Sequence, residues 1–472
     1  MTSASPTPVP PPLPPVGPRF RWGVLLKVSG IVVLILLLHV PLALTRGVLA
    51  ERQSYQAQAS DEVAAVWGRR QTLIGPVLMV PYTFRGVVTR QRIVGDKVIQ
   101  VEENDSIPAV AYFLPTELDL EARVETEVRR RGIYDTVVYA TTVTLAGEFQ
   151  PDFVAADLTA EQIQWDRAQV LISVSDLRGL RSVSPWPDGT GTAPFEATEN
   201  LGAGFPLAAK VRSAAAGTAL PFRLTLSLQG SEQLNLTPIG KTTKAALRSE
   251  WPDPSFVGAY LPVERQVTAE GFSATWQTAH FSRGFPQSWS DELVTVEDML
   301  NKISATAFGV EFQQTMDGYR LVERAQKYGV LFFVISFAVF FLFETTARLR
   351  IHPFQYSLVG AALCLFFLGF LALSEVMGTG WAYAVAAGAC TAMITLYAWT
   401  FLSTGRRALL VGGGLAGTYA YLYFVLQSQD YALLAGSAAL FVLLALVMYG
   451  TRTLNWYQLE LPTNSDNRRT AP

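Results

Sequence analysis

The stretch "FLFETTARLRIHPFQYSLVG", residues 341–360, sets Glu344, His352 and Pro353 among two arginines, between long runs of Phe, Leu and Val. A carboxylate and an imidazole are residue types of general acid–base catalysis. An ionisable group at membrane depth is also the mark of an ion or proton pathway. The third reading is a turn of chain just outside a membrane. Glu375, at the far end of the next apolar run, raises the same question, so Glu344, His352 and Glu375 are the candidate functional residues. His352 has no nucleophile or acid paired with it in the sequence, and such a histidine is more often polar surface than a base. Each carboxylate stands near the end of an apolar run, where it can reach water or an arginine. Arg348 lies one helical turn from Glu344, a spacing at which opposite charges meet. Lys27 and His39 show no partner at this level.

Other chemistry leaves little trace. The three histidines, His39, His280 and His352, are far apart, and no HExxH, CxxC or histidine tract occurs, so neither a metal nor another cofactor is expected. Cys364 and Cys390 sit inside apolar runs and read as small buried hydrophobes, not as a disulfide framework. "GGGLAG" at 412–417 matches G-x-G-x-x-G in form, but no strand precedes it. Gly413 and Gly417 instead make a GxxxG spacing that would let two helices approach. There is no G-x-S-x-G elbow or Walker A sequence, and no carboxylate pair stands out from the many in the middle of the chain. No catalytic residue is assigned; an enzyme is not excluded, though a non-enzymatic role fits better.

The elements that would position these residues are set by hydropathy. Half of the 472 residues are apolar and only 16% are charged, which puts a membrane protein first. The net charge of -2 is mixed in sign, so no nucleic-acid partner is expected. Crossing a bilayer takes about 20 apolar residues. One such run covers 23–44, and five more crowd 328–344, 356–376, 381–403, 408–427 and 431–450. Basic residues in short segments stay cytoplasmic. Arg19, Arg21 and Lys27, then Arg348 with Arg350, Arg406 with Arg407, and Arg452 with Arg468 and Arg469 all fall on one side in a six-span count. The turns holding Glu375 and Asp430 contain no Lys or Arg. Both termini are then cytoplasmic and the segment between the first two spans is outside.

The resulting division is a Pro-rich cytoplasmic tail over 1–22, an uncleaved anchor helix over 23–44, an outer β-rich domain over 45–327, a five-helix membrane domain over 328–450 and a cytoplasmic tail over 451–472. Eight prolines in the first 18 residues make that tail extended. After the anchor, "ERQSYQAQASDEVAAVWGRRQ" predicts a short amphipathic helix that stops before Gly75 and Pro76. "RIVGDKVIQV" predicts a hairpin turning at Gly95 and Asp96. "ELDLEARVETEVR" alternates apolar and charged residues, as in an antiparallel sheet with one wet face. "DTVVYATTVTLAGEF", "AQVLISVSDL", "FRLTLSLQGSEQLNLTPIG" and "QVTAEGFSATWQTAHF" are further strand candidates, and "VTVEDMLNKISATAFGV" is expected to be helical. One large sandwich or two smaller β subdomains fit equally. The class is a membrane protein of α+β type: one anchor helix, a large, mostly antiparallel-β domain on the outer side, and a bundle of five transmembrane helices.

"WGRRQTLIGPVLMVPY", "RRRGIYDTVVY", "WPDPSFVGAYLPVERQVTAEGFSATW", "DGYRLVERAQKYGVLFF" and "IHPFQYSLVGAALCLFFLGFLALSE" together resemble the CreD family over about residues 45–457. The resemblance implies a Gram-negative inner-membrane protein with a periplasmic domain, linked to envelope integrity and a stress regulon. It brings no catalytic or ligand residues. "FLFE...IHPFQYSLVG", with Glu344, His352, Pro353, Gln355, Tyr356 and Gly360, is a signature of that family. The expected partners are the lipid bilayer and a periplasmic protein or envelope component. The alternative is a transporter or lipid-handling protein working through the C-terminal helices.

Overall fold

The computed structural model describes residues 22–94, 97–189, 191–198, 204–215, 217–312, 318–346, 351–402, 405–428 and 431–452. Gly95 and Asp96, the proline-rich tail, Arg348, Arg350, Asp430, Arg468 and Arg469 lie outside the described residues. Two compact units form, one from 1–53 with 316–472 and the other from 54–315.

The first helix, α1, runs unbroken over Trp22–Trp67, so the expected separation of an anchor from a short amphipathic helix is corrected. The cause is composition: the stretch after residue 44 is rich in Ala, Gln and Glu, which favour helix, and contains no proline. Gly68, at φ 138°, ends the helix where a Cβ would meet the Gln229 carbonyl oxygen at 2.6 Å.

In the β unit, β1 (Gln71–Val94), β2 (Lys97–Phe113), β3 (Glu117–Arg131) and β4 (Tyr134–Phe149) form two long hairpins placed in different sheets. A seven-stranded sheet runs in the order Glu264–Thr268, Gly271–Ala279, Thr242–Ser249, β3, β4, Leu220–Ser231, Leu180–Val183. A ten-stranded sheet is built on β1, which pairs with Gln169–Val174 on one side and with Gln233–Leu236 on the other. Most pairings are antiparallel; β1 with Gln233–Leu236 and β3 with Thr242–Ser249 are parallel. Strict alternation on β3 buries Leu118, Leu120, Ala122 and Val124 and leaves its acidic and basic side chains in water. One continuous apolar core joins both sheets, which decides for a single sandwich over two subdomains. Trp276 stacks on Phe308 across it, with ring centroids 5.1 Å apart.

Two segments expected to be single elements are each two. "FRLTLSLQGSEQLNLTPIG" divides into Leu220–Ser231 in the seven-stranded sheet and Gln233–Leu236 in the ten-stranded one. Glu232 makes the corner at φ 61°. "VTVEDMLNKISATAFGV" divides into α2 (Val296–Ser304), capped by the Thr295 hydroxyl, and a strand, Phe308–Phe312.

The other unit contains α3 (Gly318–Lys327), α4 (Gly329–Thr346), α5 (Pro353–Ser374), α6 (Thr379–Phe401), α7 (Gly405–Gln427) and α8 (Ala432–Thr451). By length and hydropathy the apolar part of α1 and helices α5, α6 and α7 can each cross a membrane. Helices α3 and α4 qualify as a further span only when taken together, and they are bent by 55°. The apolar core of α8, Leu434–Tyr449, is shorter. Aromatic rings fill the bundle: Tyr419 of α7 lies 4.7 Å from both Phe332 of α4 and Phe366 of α5. Small residues set the close approaches. A Cβ on Gly360 would meet Leu38 of α1 at 2.6 Å, and one on Gly412 would meet Thr395 of α6 at 2.4 Å. Gly413 and Gly417 face open space, so among the described residues the expected GxxxG contact is not formed; Gly412 and Gly414 pack instead.

Candidate functional site

Glu344 is 6% exposed near the end of α4, where apolar residues surround it. Burying a carboxylate is tolerable only when its oxygens are well supplied with donors. Three are present. Lys27 Nζ of α1 donates to Oε1, the Ile351 N–H donates to the same oxygen at 3.1 Å, and the Tyr356 hydroxyl of α5 donates to Oε2 at 2.8 Å. Lys27 Nζ also donates to the Ile351 carbonyl at 3.2 Å and lies 5.8 Å from the Tyr356 ring centroid. One carboxylate therefore ties α1, α4 and α5 together. Arg348, its expected partner, lies outside the described residues, and Lys27, read as unpartnered, is the cation that meets it. His39 bonds within α1, its Nδ1 lying 3.2 Å from the Ile35 carbonyl.

His352 stands beside this junction and caps a helix. Its Nδ1 accepts from the Phe354 N–H at 3.2 Å, while its own backbone N–H donates to Gln355 Oε1 at 2.9 Å. Pro353 follows at the first helical position, where no N–H is needed. With Nδ1 held as an acceptor, the exposed imidazole fixes the start of α5 and so the place of Tyr356.

Glu375 is at the opposite end of α5. Its Oε1 accepts from the Tyr319 hydroxyl of α3 at 3.0 Å and lies 3.6 Å from Arg52 Nε of α1. Arg46, one and a half turns earlier on α1, donates to the Gln326 carbonyl at 2.9 Å. The structure thus does not bring the three candidates together: Glu344 and His352 share one end of α5, and Glu375 takes the other. Both cysteines are buried with their thiols on backbone carbonyls, Cys390 on Ala362 at 3.2 Å and Cys364 on Leu38 at 3.9 Å.

The β unit adds two buried polar groups that sequence reading did not find. Asp176 accepts from the Arg69 N–H at 3.1 Å and from Arg178 Nε at 3.0 Å. Burial alone raises its carboxyl, but Arg178 and the two backbone N–H donors outweigh it and hold the group below the ordinary range. Arg283 is 8% exposed and donates to the carbonyls of Pro238 and Ile239 and to Gln287. Burial brings its guanidinium down to about 10. Both groups fasten loops to the sheets. Among the described residues no group of three or more His, Cys, Asp or Glu is placed to hold a metal ion.

A β sandwich carried on an N-terminal apolar helix and followed by a set of apolar helices, pinned through a buried carboxylate, defines a multi-pass membrane protein. The family model described as "Inner membrane protein CreD" matches residues 23–457. The chain is 31% identical over 440 residues to the inner membrane protein CreD of Escherichia coli (strain K12), covering 92% of this chain and 94% of that protein. The chain belongs to the CreD family of inner membrane proteins.

Proposed function

We propose that this chain is an envelope-integrity protein of the bacterial inner membrane whose β unit, on the periplasmic side, binds a protein or another envelope component without catalysing a reaction. Six spans with both termini cytoplasmic give the orientation; the basic residues at 19–27, 348–350, 406–407 and 452–469 support it.

The observation that carries the binding reading is the ribbon formed by β1 and β2. Beyond Thr83, which pairs with Gln162, residues Phe84–Val94 pair only with Lys97–Ile107 among the described residues. Among the described residues neither outer edge of this ribbon pairs with a further strand, and such an edge is a template for an added strand. One face is exposed and mostly polar, with Arg85 opposite Ser106, Thr89 opposite Glu102, and the apolar Val87 opposite Asn104. At its base Glu161 accepts from Arg85 at 2.9 Å and from Ser106 at 2.6 Å, which fixes the direction in which the ribbon leaves the sheet.

The test is to replace residues 88–103, which pair with one another, by a two-residue turn and express the chain in a deletion strain. Envelope-stress tolerance and crosslinks from a photoreactive residue at Arg85 should both be lost while abundance holds. Full tolerance and an unchanged crosslink pattern from an abundant shortened chain would sink the reading.

A further inference from the structure

We propose that the part of the α4–α7 seam nearest α3 binds a lipid with an anionic phosphate headgroup, one acyl chain lying in the seam and the phosphate on α3. Tyr328, Leu331 and Ile335 on one side and Tyr421, Leu422 and Val425 on the other line an apolar groove there. Its origin is a change in side-chain size along the seam. Toward the other end a Cβ on Gly414 would stand 3.2 Å from Val339, so the helices come close. Toward α3 the bulk of Tyr421 and Leu422 separates them, and the 55° bend between α3 and α4 leaves the end of the groove open.

The surface that lines the groove is apolar, and two hydroxyls beside it are already used. The Thr418 hydroxyl donates to the Gly414 carbonyl at 2.9 Å, and the Tyr421 hydroxyl donates to the Ala435 carbonyl. Water needs two or more polar partners to stay in such a place. At membrane depth the remaining filler is an acyl chain, whose dispersion contacts replace those the helices lack.

The headgroup follows from the charges on the turn that leads into the groove. Arg324 and Lys327 stand four residues before Tyr328 and Leu331, in the turn of chain that precedes the groove across the 55° bend. Helical bonding continues through the bend, the Tyr328 N–H reaching the Arg324 carbonyl at 3.3 Å and the Phe332 N–H reaching the Tyr328 carbonyl at 3.0 Å. Helix α3 carries Arg320, Arg324 and Lys327 against one acid, Glu323, which is bonded to Lys327 at 2.9 Å. The cationic excess favours a phosphate, and a guanidinium can grip two of its oxygens.

The experiment uses the purified full chain in detergent and measures retention of phosphatidylglycerol and phosphatidylcholine with identical acyl chains by native mass spectrometry. Glycerol phosphate is the soluble competitor. Phosphatidylglycerol should be retained preferentially, and millimolar glycerol phosphate should not displace it. The R324Q/K327Q double variant should lower the preference on the order of ten-fold and leave phosphatidylcholine retention unchanged. Ile335→Trp, which fills the groove, should lower retention of both lipids. Equal retention of the two lipids by the parent, or a preference that survives R324Q/K327Q, would overturn the proposal. Displacement by glycerol phosphate would overturn it too, in favour of a soluble phosphate. If Ile335→Trp does not fold, the exchange of two solvent-accessible side chains still decides. The shortened-ribbon chain should keep its lipid preference, so failure here and failure of the β-unit reading are separate outcomes.

Discussion

The Lys27 ammonium donates to the Glu344 carboxylate from a position 317 residues earlier in the chain, and that carboxylate is buried while the lysine is 28% exposed. The pair is therefore asymmetric. Loss of the lysine strands a buried acid, whereas loss of the acid leaves a cation that can reach toward water.

This asymmetry sets the first prediction. Lys27→Met should destabilise the helical unit by about 2–3 kcal/mol, and Glu344→Gln by about 1–2 kcal/mol because its amide still accepts from Tyr356. The double variant should recover about 1 kcal/mol or more relative to the sum of the two. Thermal unfolding in a fixed detergent gives the cycle; strict additivity would show that the two side chains do not act together.

His352 acts through its position at the start of α5. His352→Ala should cost about 1 kcal/mol, and His352→Asn, which also offers an acceptor to the Phe354 N–H, should restore most of it. Hydrogen exchange at the first turn of α5 reports this directly. Equal protection in the Ala and Asn chains would remove the capping role.

Asp176 predicts a pH dependence with a definite sign. Its folded-state pKa lies below the unfolded value of about 3.9, so its stabilisation is present above about pH 4 and is lost as pH falls from there through the folded value. Exchange of the Arg69 and Arg178 amides should accelerate over that range beyond the intrinsic pH effect. In Asp176→Asn the same amides should be less protected at pH 7, by about 1–2 kcal/mol, and show no added acid step. An identical acid profile in the two chains would contradict the assignment.

Glu232 places two effects in competition. Its left-handed backbone costs about 1–2 kcal/mol in a residue with a side chain. Its carboxylate accepts from Arg70 at 2.8 Å and 2.9 Å, a mostly exposed pair of about 0.2–1 kcal/mol. Glu232→Gly removes both terms and should leave stability within about 1 kcal/mol of the parent, whereas Glu232→Ala should be the less stable of the two variants by about 1 kcal/mol. Denaturant midpoints that rank Ala above Gly would refute the backbone argument.

Patterns carried on one element were legible in the sequence. The alternation of Leu118, Leu120, Ala122 and Val124 appears in β3 as read, and the apolar runs of the C-terminal third appear as α4 to α8. Relationships between elements were not. Periodicity says nothing about a partner 317 residues away, so the search around Glu344 stopped at Arg348, within one turn, and missed Lys27. Gly413 and Gly417 fitted a spacing rule, yet which side of α7 meets a neighbour is set by the bundle, and Gly412 and Gly414 are the glycines in contact. The corner at Glu232 was hidden because its apolar alternation runs on through the bend, and a glutamate gives no signal for positive φ. The cap at His352 did leave a trace, Pro353 followed by Gln355, but histidine is not among the residues a cap search looks for first.

The same long separation gives the chain a timetable during its synthesis. At roughly 5–20 residues per second, 15 to 60 s pass between the emergence of Lys27 and that of Glu344. Throughout that interval the Lys27 ammonium is left to headgroups and water, and the Leu38 carbonyl and Gly360 contacts that complete the packing of α1 have yet to be made. The ion pair closes once α4 and α5 have been made, before α6, α7 and α8 follow, so the first helix is fastened to its neighbours ahead of the rest of the bundle.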